Sequence, residues 1–243
     1  MEKYLLFPIL IMLALGLTAQ AEPELKFKED FIRRLSAAIP AILEDQDPQT
    51  GRFGKGIWVV TDQHPMFPLA VAWATKSDDN PYYHDPKVLK GIVSAGDALA
   101  EDAGDKGQWE FRKKDGSTWG PTYMPWTYYR WLRSFALIKD GMSPKDRKRW
   151  EDALILGYTG ISETQLTRLV NIPTYHAMGL YLAGKTFDRP EWCKQAKDFL
   201  ARVIAAQDPN GFWSENYGPV VRYNSVYIEA LGAYYSISGD DMV

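Results

Sequence analysis

Two short stretches of this chain set side chains that hold an anion beside side chains that move a proton. Asn171 is followed within two helical turns by His176, and Arg222 stands next to Tyr223. An amide and a guanidinium both donate hydrogen bonds to a carboxylate, and the guanidinium adds a compensating charge. An imidazole or a phenol can take up or return a proton, and a cationic Arg222 or His176 nearby would draw the Tyr223 hydroxyl down from about 10 toward the working range. Both pairs fall where apolar helical patterns begin, so first-turn N–H groups would point at the same anion. Trp213 and Glu215 lie between them, and Tyr123, Trp126 and Tyr128 form an upstream group of flat faces for stacking on a ligand. Each also has a structural use. Asn171 ahead of Ile172-Pro173 suits a helix N-cap, Arg222 suits an ion pair with Glu215 or Glu229, and His176 and the aromatic rings suit a core.

The elements that must position these residues repeat along the chain. Lys26 to Glu44 places Phe27, Phe31, Ile32, Leu35, Ile39, Ile42 and Leu43 three and four apart, one face of an amphipathic helix that tolerates Pro40. A helix apolar on both sides follows from about Asp62 to Thr75. The next amphipathic pattern begins near Asp85-Pro86 with Val88, Leu89, Ile92, Val93, Ala95 and Leu99. The loop after it, Gly104-Asp105-Lys106-Gly107-Gln108-Trp109, repeats the earlier Asp47-Pro48-Gln49-Thr50-Gly51-Arg52-Phe53. A third copy, Gln207-Asp208-Pro209-Asn210-Gly211-Phe212-Trp213, closes the helix from Glu191 to Ala206. Gly51, Gly107 and Gly211 are 56 and then 104 residues apart. The second gap spans two repeats, which puts a copy without its signature near Gly157 to Gly160, where the helix from Ser143-Pro144 is expected to end. Lys113-Lys114-Asp115-Gly116 reads as a solvated, hairpin-like loop.

A period of about 50 residues, each unit an amphipathic helix, a loop and a more apolar helix, predicts an all-α stack of helical hairpins. No period-two alternation is long enough to argue a sheet. Amphipathic helices beginning near Lys26, Asp85, Ser143 and Arg189 form the outer layer, and apolar ones beginning near Asp62, Pro121, Asn171 and Arg222 the inner layer. An open solenoid and an (α/α) toroid both fit. The aromatic residues of the second and fourth inner helices favour a ring around a cleft. Four hairpins are present, and the sequence reaches Ser238-Gly239-Asp240-Asp241-Met242-Val243 where another outer helix is expected, so it reads as an incomplete toroid.

Lys3, the apolar run Tyr4 to Leu17 and the small-residue pattern Ala19-Gln20-Ala21 predict a signal peptide over residues 1–21, cleaved after Ala21. The run is too short for a membrane span of about 20 residues, so the expected product is a secreted or periplasmic chain of one domain, residues 22–243, with no stable span. A net charge of −3 without a Lys/Arg stripe excludes nucleic acid as the expected partner. Cys193 is the single cysteine, which reads as a buried, inert thiol. Neither paired cysteines nor a His-x-x-x-His array suggests a metal.

The segment Asn171 to Tyr235 resembles the N-terminal helical domain of the heparinase II/III and alginate lyase group of polysaccharide lyases. The likeness rests on Asn171 at an inner-helix start, Ala183-Gly184-Lys185-Thr186-Phe187, Trp192, Gln207 with Asn210-Gly211, Glu215 and Tyr223. It departs at Ile172, where the family often has His or Trp, and at Asn224, where it often has His. The resemblance implies an (α/α) toroid, no cofactor, and an acidic polysaccharide cleaved by β-elimination. Asn171 and Arg222 would then neutralise a uronate carboxylate, and Tyr223 and His176 would handle the protons. Trp126, Tyr123, Tyr128, Trp213 and Glu215 would line the sugar site. Rings of this kind also host glycoside hydrolases with a carboxylate pair, for which Asp62 and Glu215 are the acids to test, and noncatalytic carbohydrate-binding scaffolds.

Overall fold

The computed structural model describes residues 27–54, 61–113 and 115–242. The expected signal segment and the Ala21 cleavage point lie outside the described residues. Eight α-helices account for most of what is described: α1 (Phe27–Glu44), α2 (Met66–Ala74), α3 (Pro86–Asp102), α4 (Pro125–Ile138), α5 (Pro144–Thr164), α6 (Asn171–Thr186), α7 (Pro190–Ala205) and α8 (Val221–Ser238). The chain is mainly α-helical, as its periodicity predicts. Among the described residues no helix is long and apolar enough to cross a membrane.

The helices alternate between two layers. α2, α4, α6 and α8 pack each against the next, while α3 packs on α2 and α5, and α7 packs on α6. Composition explains the split. α3 buries Val88, Ile92, Ala95 and Leu99, and α7 buries Trp192, Ala196, Phe199, Leu200 and Val203, so each seals one stripe and leaves the other side to water. α6 buries residues all round its axis, from Asn171 through Tyr175, Met178 and Leu180 to Gly184, because helices lie on several sides of it. Caps fix where the outer helices start. Asp85 accepts the N–H groups of Lys87 and Val88, Ser143 accepts that of Asp146, and Pro86, Pro144 and Pro190 occupy first-turn positions where the missing N–H costs nothing.

Three loops carry the repeat in their geometry. Gly51, Gly107 and Gly211 all have positive φ, between 69° and 86°, which a residue with a Cβ adopts only under strain. Their N–H groups close turns onto the carbonyls of Asp47, Gly104 and Asp208. Two residues after each glycine an aromatic ring is buried: Phe53, Trp109 and Trp213. The two indoles donate to carbonyls ten residues back, Trp109 to Leu99 at 3.0 Å and Trp213 to Val203 at 2.8 Å, so each stitches its loop to the end of the preceding helix.

The expected fourth copy at Gly157–Gly160 is not a loop. Both glycines lie inside α5, which runs on to Thr164. Their function is close approach: a Cβ at Gly157 would overlap the Tyr128 hydroxyl, and one at Gly160 would overlap that of Tyr123. Other boundaries also differ. α4 starts at Pro125 rather than near Pro121, because Thr118–Thr122 pairs antiparallel with Trp109–Arg112 as a two-stranded ribbon, β2 with β1. A second small ribbon joins β3 (Ser214–Glu215) to β4 (Gly218–Pro219). On α1 the buried residues are Ile32, Ser36 and Ile39, and Phe27 and Phe31 face water.

Candidate functional site

The start of α8 is built from side chains of the loop before it. Asn224, in the first turn, accepts the Trp213 N–H at 2.7 Å and donates to the Trp213 carbonyl at 3.0 Å, clamping that residue's backbone from both sides. The Trp213 ring lies flat on Tyr227, with centroids 5.1 Å apart and planes 8° from parallel. Tyr227 then donates its hydroxyl to Glu215 at 2.8 Å, and the same carboxylate oxygen accepts the backbone N–H of Asn171 at 3.2 Å. Burial and the carboxylate together push the Tyr227 hydroxyl pKa well up, so it remains a donor. A carboxylate on the first turn of α6 also meets the positive end of the helix dipole.

This cluster decides several of the expected roles. Asn171 is not the N-cap. Val170 holds that position, without a side-chain bond, and Asn171 is the first helical residue. Its backbone N–H is held by Glu215, and its side-chain amide bonds no protein group among the described residues. Glu215 is a brace between two inner helices. Trp213 is buried in the second core group, with its indole satisfied. Asn224 occupies the position where the resembled family often has His, and here it is a backbone clamp.

Arg222 and Tyr223 face outward. Tyr223 is 44% exposed and lies one helical turn before Tyr227. Arg222 is exposed and pairs with neither Glu215 nor Glu229, nor with any other carboxylate among the described residues. His176 is elsewhere. It is 2% exposed, its Nε2 has no hydrogen-bond partner, and it shares no hydrogen bond or ring contact with the Glu215 cluster. Burial pushes its pKa down to about 3, against a weaker upward pull from the Tyr123 backbone, so the ring is neutral. It cannot supply the positive charge expected beside Tyr223.

The aromatic group divides in the same way. Tyr128 is core, its hydroxyl donating to the Gly107 carbonyl. Tyr123 precedes α4, is 5% exposed and donates to the Lys106 carbonyl at 3.1 Å. Only Trp126 is half-buried, 5.4 Å from the Tyr175 ring. Cys193 is half-buried, with its thiol donating to the Tyr181 carbonyl and its pKa raised by burial.

A second group was not anticipated from the sequence. It runs across the inner helices, each of which packs against the next. Tyr175 of α6 donates to Glu229 of α8 at 2.7 Å and meets Tyr129 of α4 edge-on at 5.7 Å. Arg133 of α4 lies 5.6 Å over the Phe67 ring of α2 and donates to the Tyr129 hydroxyl at 3.0 Å. His64, just before α2, is 2.9 Å from the Thr127 hydroxyl. Burial, and secondarily the Arg130 charge, press the His64 pKa down to about 3. The available signal was the spacing of Trp126, Tyr129, Arg130 and Arg133, three, four and seven apart on one helical face. Among the described residues no three His, Cys, Asp or Glu side chains are grouped to hold a metal ion. No family model matches the sequence, and no curated protein matches it at a significant level.

Proposed function

We propose that this chain is an exported, polysaccharide lyase-like protein that cleaves an acidic, uronate-containing polysaccharide by β-elimination, with its inner helices arranged as an (α/α) toroid around the sugar. The observation that carries the reading is the start of α8. Arg222, without a carboxylate partner among the described residues, and the exposed Tyr223 are consecutive in the first turn of α8, the helix that Tyr227 and Glu215 tie to the start of α6. The unbonded side-chain amide of Asn171 lies at that same start.

The chemistry follows from what each group can do. The carbon next to a uronate carboxylate loses its proton only when the carboxylate charge is offset, which Arg222 and the Asn171 amide would do by charge and hydrogen bonding. Tyr223, as its phenolate, would take the proton. The electron pair left on that carbon forms the double bond to its neighbour, the bond from the neighbour to the glycosidic oxygen breaks, and that oxygen takes the same proton back from the Tyr223 hydroxyl as it leaves. Burial of neutral His176 leaves it no part in the transfer. Glu215, held by two donors, braces the site and does not serve as one of a hydrolytic carboxylate pair.

The test is a panel of anionic polysaccharides followed by ultraviolet absorbance of the unsaturated uronate. New reducing ends without that absorbance would replace the lyase reading with a hydrolase. Binding with neither product would leave a carbohydrate-binding scaffold.

A further inference from the structure

α4 carries two cations that no carboxylate among the described residues neutralises. Arg130 and Arg133 are half-buried, and among the described residues neither has a carboxylate within ion-pair distance. Placed three apart on a helix, their Cβ atoms stand on adjacent turns of one face, an arrangement that like charges oppose unless an anion lies near them. Their own bonds are few. Arg130 donates to the Trp126 carbonyl at 3.3 Å and Arg133 to the Tyr129 hydroxyl at 3.0 Å, which leaves most of each guanidinium fork without a partner among the described residues. The surroundings are aromatic. Phe67 and Tyr129 support Arg133, and Trp126 and Tyr129 both touch Tyr175. Glu229, an acid of this group, accepts the Tyr175 hydroxyl. The charge of Arg130 is felt on both sides, lowering the pKa of His64 and offsetting part of the upward shift of Tyr175.

The geometry points to Arg130 and Arg133 as a binding site for the carboxylate of a sugar ring that rests against Trp126 and Tyr129. A guanidinium fork matches the two oxygens of a carboxylate, and the aromatic faces accept the apolar side of a pyranose. The choice of a uronate rests on the acidic-polysaccharide reading above, whereas the anion site rests on the two arginines. It shares no residue with Arg222 and Tyr223, and its role is to select charge in the bound chain, not to transfer protons.

Isothermal titration with a uronic acid oligosaccharide and with a neutral oligosaccharide of equal length tests it, on the wild type, Arg130→Gln, Arg133→Gln, the double variant, and Arg130→Lys with Arg133→Lys. The wild type is expected to bind the uronate at least about tenfold more tightly than the neutral chain, and less tightly as salt rises. Each glutamine variant should lose about fivefold to tenfold, and the double variant should no longer distinguish the two ligands. The lysine pair should keep part of the charge preference and show native circular dichroism even if the glutamine variants unfold. Equal binding of uronate and neutral oligosaccharide by the wild type, or an undiminished preference in the double glutamine variant, would overturn the inference. Ultraviolet product formation separates the two readings. Charge-selective binding lost in the arginine variants, with no elimination by the wild type, upholds the anion site and removes the lyase. Elimination with an unchanged KM in the double variant does the reverse.

Discussion

The Glu215 carboxylate accepts the backbone N–H of Asn171 across 44 residues of chain, so an acid from the loop before α8 sits on the first turn of α6. Tyr227 donates to the same oxygen. Removing the carboxylate with Glu215→Ala strands both donors in a partly buried place, and the expected loss is about 1–3 kcal/mol of stability. Glu215→Gln keeps an acceptor and should cost less, roughly 0.3–1 kcal/mol from the lost charge at the helix end. Urea denaturation midpoints of the two variants check the order. Equal losses would show that the charge, and not the hydrogen bonds, holds the bridge.

Tyr223 is the residue on which the elimination chemistry depends. Tyr223→Phe removes only a hydroxyl from a side chain that is 44% exposed, so the fold and melting temperature should be unchanged. Ultraviolet product formation should fall to background. Turnover at the wild-type rate in this variant would remove Tyr223 from the mechanism.

His176 should make the protein acid-sensitive. Its folded pKa of about 3 lies below the usual 6.5, so the unfolded chain binds a proton that the folded chain refuses. The stability due to this group is complete above about pH 6.5 and is lost as pH falls from there toward 3. The loss for a single buried histidine is on the order of 2 kcal/mol between pH 7 and 4.5. His64, also near 3, adds in the same direction. Denaturation midpoints measured across this range for the wild type and His176→Gln should show a shallower decline in the variant, and parallel curves would contradict the assignment.

Two helical glycines should respond oppositely to the same substitution. Gly157→Ala drives a methyl group into the Tyr128 hydroxyl and should cost about 1–3 kcal/mol or more. Gly232→Ala, exposed on α8 with nothing within 4 Å of the new Cβ, should gain about 0.5–1 kcal/mol from helix propensity. Thermal melts of the pair distinguish packing from propensity.

What could be read in the chain was local. The repeated Gly-x-aromatic loops are legible at residues 51, 107 and 211, because a positive φ and a buried ring two positions on are set by a few neighbouring residues. The amphipathic stripes of α3 and α7 follow from spacing alone, and the Asp85 cap of α3 from its residue type ahead of Pro86. Gly157 and Gly160 misled for a physical reason. A glycine needed for a turn and a glycine needed for close helix packing look alike until the tyrosine pressed against it is known.

The sequence by itself therefore determined the helices, their alternation between one-sided and all-round apolar surfaces, and the residues able to hold an anion. Tertiary structure decided which of those residues face outward. Tyr128, Tyr123 and His176 share their types with useful site residues, but neighbouring helices bury them, and burial holds His176 neutral. Arg130 and Arg133 look like ordinary surface arginines in one dimension. Only the packing of α4 between α2 and α6 sets aromatic rings around them and, among the described residues, no carboxylate within ion-pair distance, because ion pairing depends on which distant elements arrive within a few ångströms.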